Sequence, residues 1–252
     1  MWDMPITIEI VDKSINENVF NLLFSYFEKI DSIFNVYRES SEISKINRGE
    51  IPKKNWSLEI REVLAICEST KLLSNGYFEH VRNGMINPLG IVKGWAIKKA
   101  SDVLLKMGHE NYYLDAGGDV QTHGCNSLGE RWKVGIRNPF NRFENVKILS
   151  LTNCGIATSG NYIRGNHIYN PQSSNKYTAE IVSLTIIGPD VFEADRFATP
   201  AFAMGRRGIY FIEDLPGFEG YMIDDQGKAT YTSGFERYVL GGKNSSYPPL
   251  NP

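Results

Sequence analysis

Asn87-Pro-Leu-Gly-Ile-Val-Lys-Gly94 is followed by Trp95-Ala-Ile-Lys-Lys-Ala-Ser-Asp-Val-Leu-Leu-Lys-Met-Gly108, so that a glycine-rich loop runs into an amphipathic helix. Ala96, Ile97, Ala100, Val103 and Leu104 recur at helical spacing, and Gly108 closes the helix. Beyond it, from Tyr112 to about Leu151, short apolar stretches alternate with glycine and asparagine turns. That pattern predicts strands near 112–116, 119–124, 132–137 and 147–151. A loop and helix feeding a run of strands, without strict strand–helix alternation, reads as α+β.

Upstream, Pro5-Ile-Thr-Ile-Glu-Ile10 alternates as a half-buried strand does. Ser14-Ile-Asn-Glu17 has capping-box spacing, and Val19, Leu22, Leu23, Tyr26, Phe27, Ile30, Ile33 and Phe34 then trace a core-facing helix. A polar stretch from Arg38 to Lys54 precedes a second helix marked by Ile60, Val63, Leu64 and Cys67, which Asn75-Gly76 stops. Downstream, Ile181–Ile187 reads as a strand and Val191–Met204 as a helix. Ile209–Ile212, Gly220–Ile223 and Ala229–Tyr231 read as short final strands. No repeat or linker divides the chain, which predicts one domain over 1–240 and a frayed, apolar-poor tail over 241–252.

The 252 residues are 42% hydrophobic and 22% charged, enough for a sizeable core and incompatible with wholesale disorder. Lys and Arg number 27 against 29 Asp and Glu, a formal charge of −2 that gives no electrostatic footprint for nucleic acid or anionic lipid. Cys67, Cys125 and Cys154 form no CxxC pair, which suggests neither a disulfide framework nor a thiolate zinc site and fits a reducing compartment. No apolar run is long enough to span a membrane, and the start carries no secretory pattern. A cytoplasmic location is therefore expected if the given start is the native one; a chain trimmed of a leader would read the same.

Four clusters carry candidate chemistry. In Asn87–Gly94, glycines allow close backbone approach, the helix N-terminus presents N–H groups to an anion and Lys93 adds a charge; a plain loop–helix junction is the other reading. The spacing is neither a P-loop nor a Rossmann fingerprint. Asp115-Ala-Gly-Gly-Asp119 either lets a ligand touch the main chain or is a tight turn between strands. Asp195 and Thr199, four apart, share one helix face and offer hard oxygen suited to magnesium, or are an exposed acid and a back-bonded hydroxyl. Pro200 beside them should kink the helix. Ala157-Thr-Ser-Gly-Asn-Tyr162 and His167-Ile-Tyr-Asn-Pro171 place Ser159 and Gly160 as phosphate contacts beside His167 as an acid, base or donor. His80, His109 and His123 have no such setting.

Taken together and in order, these segments resemble the ApbE family of FAD:protein FMN transferases. The early F-S-x-Y-x-x-x-S-E-I/L-x-x-I/L-N pattern is met by Phe34-Asn-Val-Tyr37, Ser41-Glu42-Ile43 and Ile46-Asn47, and G-x-F-D by Gly76-Tyr-Phe-Glu79. D-x-x-G-x-x-K-G-x-A is met by Asn87 to Ala96, followed by Gly117-Gly118-Asp119. A-T-S-G-x-Y appears at Ala157–Tyr162, H-I-x-x-P at His167–Pro171, and A-D-x-x-A-T at Ala194–Thr199.

The resemblance implies a single α+β domain of mixed or antiparallel sheets covered by helices, with an FAD cleft between the sheet core and glycine-rich loops. It implies FMN transfer from FAD to a threonine or serine hydroxyl of an acceptor flavoprotein, with release of AMP. The implied Mg2+ ligands are Asp195, Thr199 and the Gly90 carbonyl, Asp195 serving catalysis as well. Amides between Gly90 and Gly94 and at Ser159–Gly160 would cradle the diphosphate, with Lys93 beside them, and Gly118 and Asp119 would serve the adenosine or ribose end. Tyr37 is a stacking partner for the flavin or a core tyrosine ending the first helix, and His167 activates the hydroxyl or protonates the departing phosphate. Asn87 and Glu79 stand where the family has aspartate. Two alternatives stay open: an FAD pyrophosphatase of the same fold giving FMN and AMP, or a non-catalytic FAD binder left by those two changes. A monomer or homodimer is expected.

Overall fold

The computed structural model describes residues 4–12, 15–16, 18–161, 165, 168–173 and 180–241. The Ser14–Glu17 capping box, His167 and the tail beyond Gly241 lie wholly or partly outside the described residues. In chain order the elements are β1 (Ile6–Ile10), α1 (Asn18–Phe34), α2 (Glu42–Asn47), α3 (Leu58–Leu73), β2 (Val81–Arg82), β3 (Met85–Ile86) and α4 (Leu89–Lys106). Five strands follow: β4 (Tyr112–Ala116), β5 (Asp119–His123), β6 (Trp132–Asn138), β7 (Asn141–Leu151) and β8 (Cys154–Gly160). The chain continues through β9 (Ile181–Gly188), α5 (Val191–Ala203), α6 (Gly208–Glu213), β10 (Glu219–Asp224) and β11 (Ala229–Tyr231).

Seven strands form one sheet in the order β1-β4-β5-β8-β9-β10-β11, with every pairing antiparallel, while β2–β3 and β6–β7 are separate two-stranded ribbons. Period-two alternation divides the sheet into two apolar faces. One face carries Tyr112, Leu114 and Ala116 into a core with α1, α3 and α4, and Ala157, Leu184, Ile186 and Met222 into a core with α5 and α6. The other carries Val120, Ile156, Ile187, Tyr221 and Ile223 against Val134, Ile136, Leu149 and Leu151 of the β6–β7 ribbon. The register pairs Val120 with Ile156 and Ser159 with Leu184, so the start of β5, the end of β8 and the start of β9 lie at one end of the sheet.

Three expectations need correction. The long helix begins at Leu89 and not after Gly94, so Gly90, Lys93 and Gly94 are helical: the Asn87 side chain accepts the Leu89 N–H at 3.2 Å, and Ile91 and Val92 are already fully buried. Residues 209–212 are helix α6, not a strand. Over six residues periodicity cannot separate the two, and Gly208 abuts the Ala201 carbonyl while Ile209 and Ile212 turn one face into the α5 core. The Ala-Thr-Ser-Gly segment, to which the sequence pattern assigns no element, is the end of strand β8. Pro200 falls in the last turn of α5, which continues to Ala203.

Candidate active site

Helices α4 and α5 meet at van der Waals distance because α4 carries glycine at the crossing. A Cβ on Gly94 would stand 2.6 Å from Asp195 Cβ and 2.8 Å from the Val191 carbonyl oxygen, so no other residue fits. The Gly94 N–H donates to Asp195 Oδ2 at 2.8 Å. A regular helix assigns that donor to the carbonyl of Gly90, so the carboxylate competes for it. One turn back, a Cβ on Gly90 would lie 3.1 Å from the Phe78 ring and 3.4 Å from Thr199 Oγ1. Gly94 thus faces Asp195 and Gly90 faces Thr199, two matched steps along both helices.

The sheet contributes the third component. The two-residue turn Gly117-Gly118 has positive φ at both positions and joins β4 to β5, so the tight-turn reading of this segment holds. The Gly118 N–H donates to Asp115 Oδ1 at 2.8 Å. The turn delivers Asp119 into the interior, where it is 1% exposed. Its Oδ1 accepts the Thr158 N–H at 3.1 Å, and its Oδ2 forms an ion pair with the Lys93 ammonium. Ser159 and Gly160 follow on β8, with Ser159 on the same sheet face as Ala157 and buried.

Burial raises the Asp195 carboxyl, the charge of Asp119 raises it further, and Lys93 and the Gly94 N–H only partly oppose them, leaving it at about 8. Asp115 is also pushed upward, first by burial and then by Asp119. Two buried carboxyls, Asp119 and Asp195, therefore share the neighbourhood of one ammonium among the described residues; below about pH 8 a proton on Asp195 balances the group, and a bound cation would take that proton's place. Among the described residues no three His, Cys, Asp or Glu side chains converge on a point. The oxygens available around the crossing are a carboxylate, a hydroxyl and a main-chain carbonyl, a hard set that suits magnesium better than zinc or copper.

Other predicted residues fall elsewhere. Tyr37 is 83% exposed in the turn after α1, which excludes the core reading, and its N–H is held locally by Asn35 Oδ1. It does not join the Lys93–Asp119–Asp195 group. Around His167, Ile168 is buried, Tyr169 lies 4.3 Å beneath the Arg82 guanidinium and the Gln172 amide donates to the Asn75 carbonyl, so residues 168–173 run beside the turn carrying Phe78. Glu79 pairs with Lys71 at 2.5 Å, and Asn87 Oδ1 accepts the Leu89 N–H at the start of α4, so both departures from aspartate have local partners. Phe78 and the Thr158 amide belong to the site and were not singled out from sequence, because each acts by contact across a fold that local spacing does not encode.

A family model described as the ApbE family matches residues 80–222, more than half of the chain and the stretch containing Gly90, Lys93, Gly94, Asp119, Asp195 and Thr199. The chain belongs to the ApbE family. The FAD:protein FMN transferase of Vibrio cholerae is 26% identical over 204 residues, covering 76% of this chain and 61% of that protein. The enzyme of the same name from Klebsiella pneumoniae is 29% identical over 164 residues, covering 60% and 47%. This ApbE chain thus spans roughly half to three fifths of the length of those relatives. Solved structures share its fold: the flavin transferase ApbE of Vibrio cholerae superposes with a TM-score of 0.79 at 20% identity, covering 92% of this chain and 95% of that one. The ApbE protein of Thermotoga maritima gives 0.80 at 21%, covering 93% and 96%. The single α+β domain expected from sequence is the ApbE fold, with its main sheet wholly antiparallel.

Proposed function

We propose that this chain is a magnesium-dependent FAD:protein FMN transferase, which moves FMN from FAD to a threonine or serine hydroxyl of an acceptor flavoprotein and releases AMP. The observation that carries this reading is the pair of buried carboxyls at the α4–α5 crossing, where Asp195 and Asp119 face Lys93 beside the Thr199 hydroxyl and the Gly90 backbone, so that a cation could replace the proton that Asp195 otherwise holds. Relatives named FAD:protein FMN transferase support it.

In this reading the acceptor oxygen bonds to the FMN phosphorus while the bond from that phosphorus to the bridging oxygen breaks. The bridging oxygen leaves with AMP, and the hydroxyl proton passes to a base, the role proposed for His167. Asp195, Thr199 and the Gly90 carbonyl would hold Mg2+, which when bound offsets charge on the diphosphate oxygens. Asp119 keeps Lys93 at the crossing by ion pairing, and the Thr158 amide fixes Asp119 in turn. Ser159 and Gly160, at the same end of the sheet, offer a hydroxyl and an amide to phosphate oxygens. Tyr37 offers an exposed aromatic face to the flavin ring.

The test is incubation of the purified protein with FAD and Mg2+, with and without a folded threonine-bearing flavoprotein acceptor, following AMP, free FMN and covalent flavin fluorescence. Stoichiometric AMP and labelled acceptor are expected. AMP with free FMN and no label would make the protein a pyrophosphatase; no AMP under any condition would end the enzymatic reading.

A further inference from the structure

Arg196 follows Asp195 directly on α5, and about 100° of helix rotation sends it to the opposite side, toward α3. Its Nε donates to Thr70 Oγ1 at 2.8 Å, its Nη2 to Ser69 Oγ at 2.9 Å and its Nη1 to Glu193 at 3.1 Å. The Phe192 and Phe197 rings lie within 5.7 and 5.3 Å of the guanidinium. Thr70 is fully buried, and its hydroxyl proton is given to the Ile66 carbonyl at 2.8 Å, so its oxygen is left to accept from Arg196. Beyond α3, Ser74 Oγ accepts the Phe78 N–H at 3.1 Å, and the Phe78 ring closes on Gly90 beside Thr199. Arg196 and Phe78 thus tie both ends of one loop of contacts, from α3 to α5 and from α3 to the glycine face of α4.

We propose that Arg196 is a positioning residue for the cation-binding face of α5: by locking that helix to Ser69 and Thr70 of α3, it sets the rotation at which Asp195 and Thr199 meet Gly94 and Gly90. The inference rests on the reading above that Asp195 and Thr199 hold a divalent cation. Side chains extend about 5 Å from a helix axis, so a 10° rotation displaces an Asp195 oxygen by roughly 0.9 Å. Metal sites are defined to about 0.2 Å. Lysine keeps the charge and loses the fork that spans two hydroxyls.

The experiment is titration of the full chain with Mn2+, read by electron paramagnetic resonance without FAD, together with thermal unfolding and the Mg2+ dependence of AMP release. Arg196→Ala is expected to weaken Mn2+ binding at least tenfold, with kcat recovered at high Mg2+. Arg196→Lys should recover part of the affinity, and Thr70→Val should weaken it in the same direction by a smaller factor. A lower melting temperature with unchanged Mn2+ affinity would overturn the proposal and leave Arg196 a stability residue. If Arg196→Ala does not fold, unchanged affinity in both Arg196→Lys and Thr70→Val overturns it equally. A wild-type chain that binds no Mn2+ would instead defeat the cation reading, and the inference would fall with it.

Discussion

Gly94→Ala measures how tightly the two site helices are clasped. In an ordinary helix interior this substitution is favourable by about 0.8–1 kcal/mol. Here the added methyl would meet Asp195 Cβ at 2.6 Å and the Val191 carbonyl at 2.8 Å, both on the α5 backbone or fixed to it, so no rotamer change relieves the overlap. Restoring normal contact requires α4 and α5 to part by about 1 Å, which stretches the 2.8 Å bond from the Gly94 N–H to Asp195. Overpacking costs about 1–3 kcal/mol, and loss of a hydrogen bond to the carboxyl, which is protonated below about pH 8, about 0.5–1.5 kcal/mol. After the propensity gain the net destabilisation is about 0.5–3.7 kcal/mol, or roughly 1–15 °C in Tm for a chain of this size. Gly90→Ala, which meets a movable Phe78 ring at 3.1 Å, should cost less. Urea unfolding of both variants, alongside their rates of AMP release, supplies the comparison. A Gly94→Ala protein as stable as wild type with unimpaired Mg2+ dependence would refute the close-approach reasoning.

Other outcomes follow from burial and charge. Asp195→Asn should stabilise the metal-free protein while abolishing Mg2+-dependent transfer. The Asp195 carboxyl sits at 3.8 when unperturbed and at about 8 in the fold, so wild-type stability falls as pH rises between those values, and the variant should lack that slope in thermal unfolding. Tyr37→Ala should leave stability within about 0.5 kcal/mol and weaken FAD binding by about 1–3 kcal/mol if the ring stacks; equal affinity in fluorescence titration would remove Tyr37 from the site. Burial lowers the His80 pKa below its ordinary 6.5, with Glu68 and Glu79 opposing. The unfolded chain therefore takes up that proton first, and stability falls as pH drops through the folded pKa. His80→Gln should flatten this acid limb of a Tm-against-pH curve, and an unaltered limb would show that His80 is not its source.

Much of this architecture is legible in local pattern. The Gly117-Gly118 turn, the strands beside it and the helix bearing Asp195 and Thr199 follow from turn chemistry and from periods of two and three to four. The start of α4 was obscured because Gly90 and Gly94 look like loop residues, and only the facing α5 explains why glycine is required inside a helix there. α6 was obscured because Ile209-Tyr-Phe-Ile212 is rich in strand formers, and packing on α5 overrides that propensity. The pairing of Lys93 with Asp119 has no local signature at all, since it joins a helix to a strand across the core.

The crossing also says something about assembly on the ribosome. Lys93 and Asp119, which pair in the finished fold, are made before α5, whereas Asp195 is made 101 residues after its Gly94 partner. A nascent chain ending before α5 carries Lys93 and Asp119 but neither Asp195 nor Thr199. If the proposed cation site is right, its Asp195 and Thr199 oxygens join the crossing only when the last third of the polypeptide docks, and copies ending before α5 are expected to bind no divalent ion there.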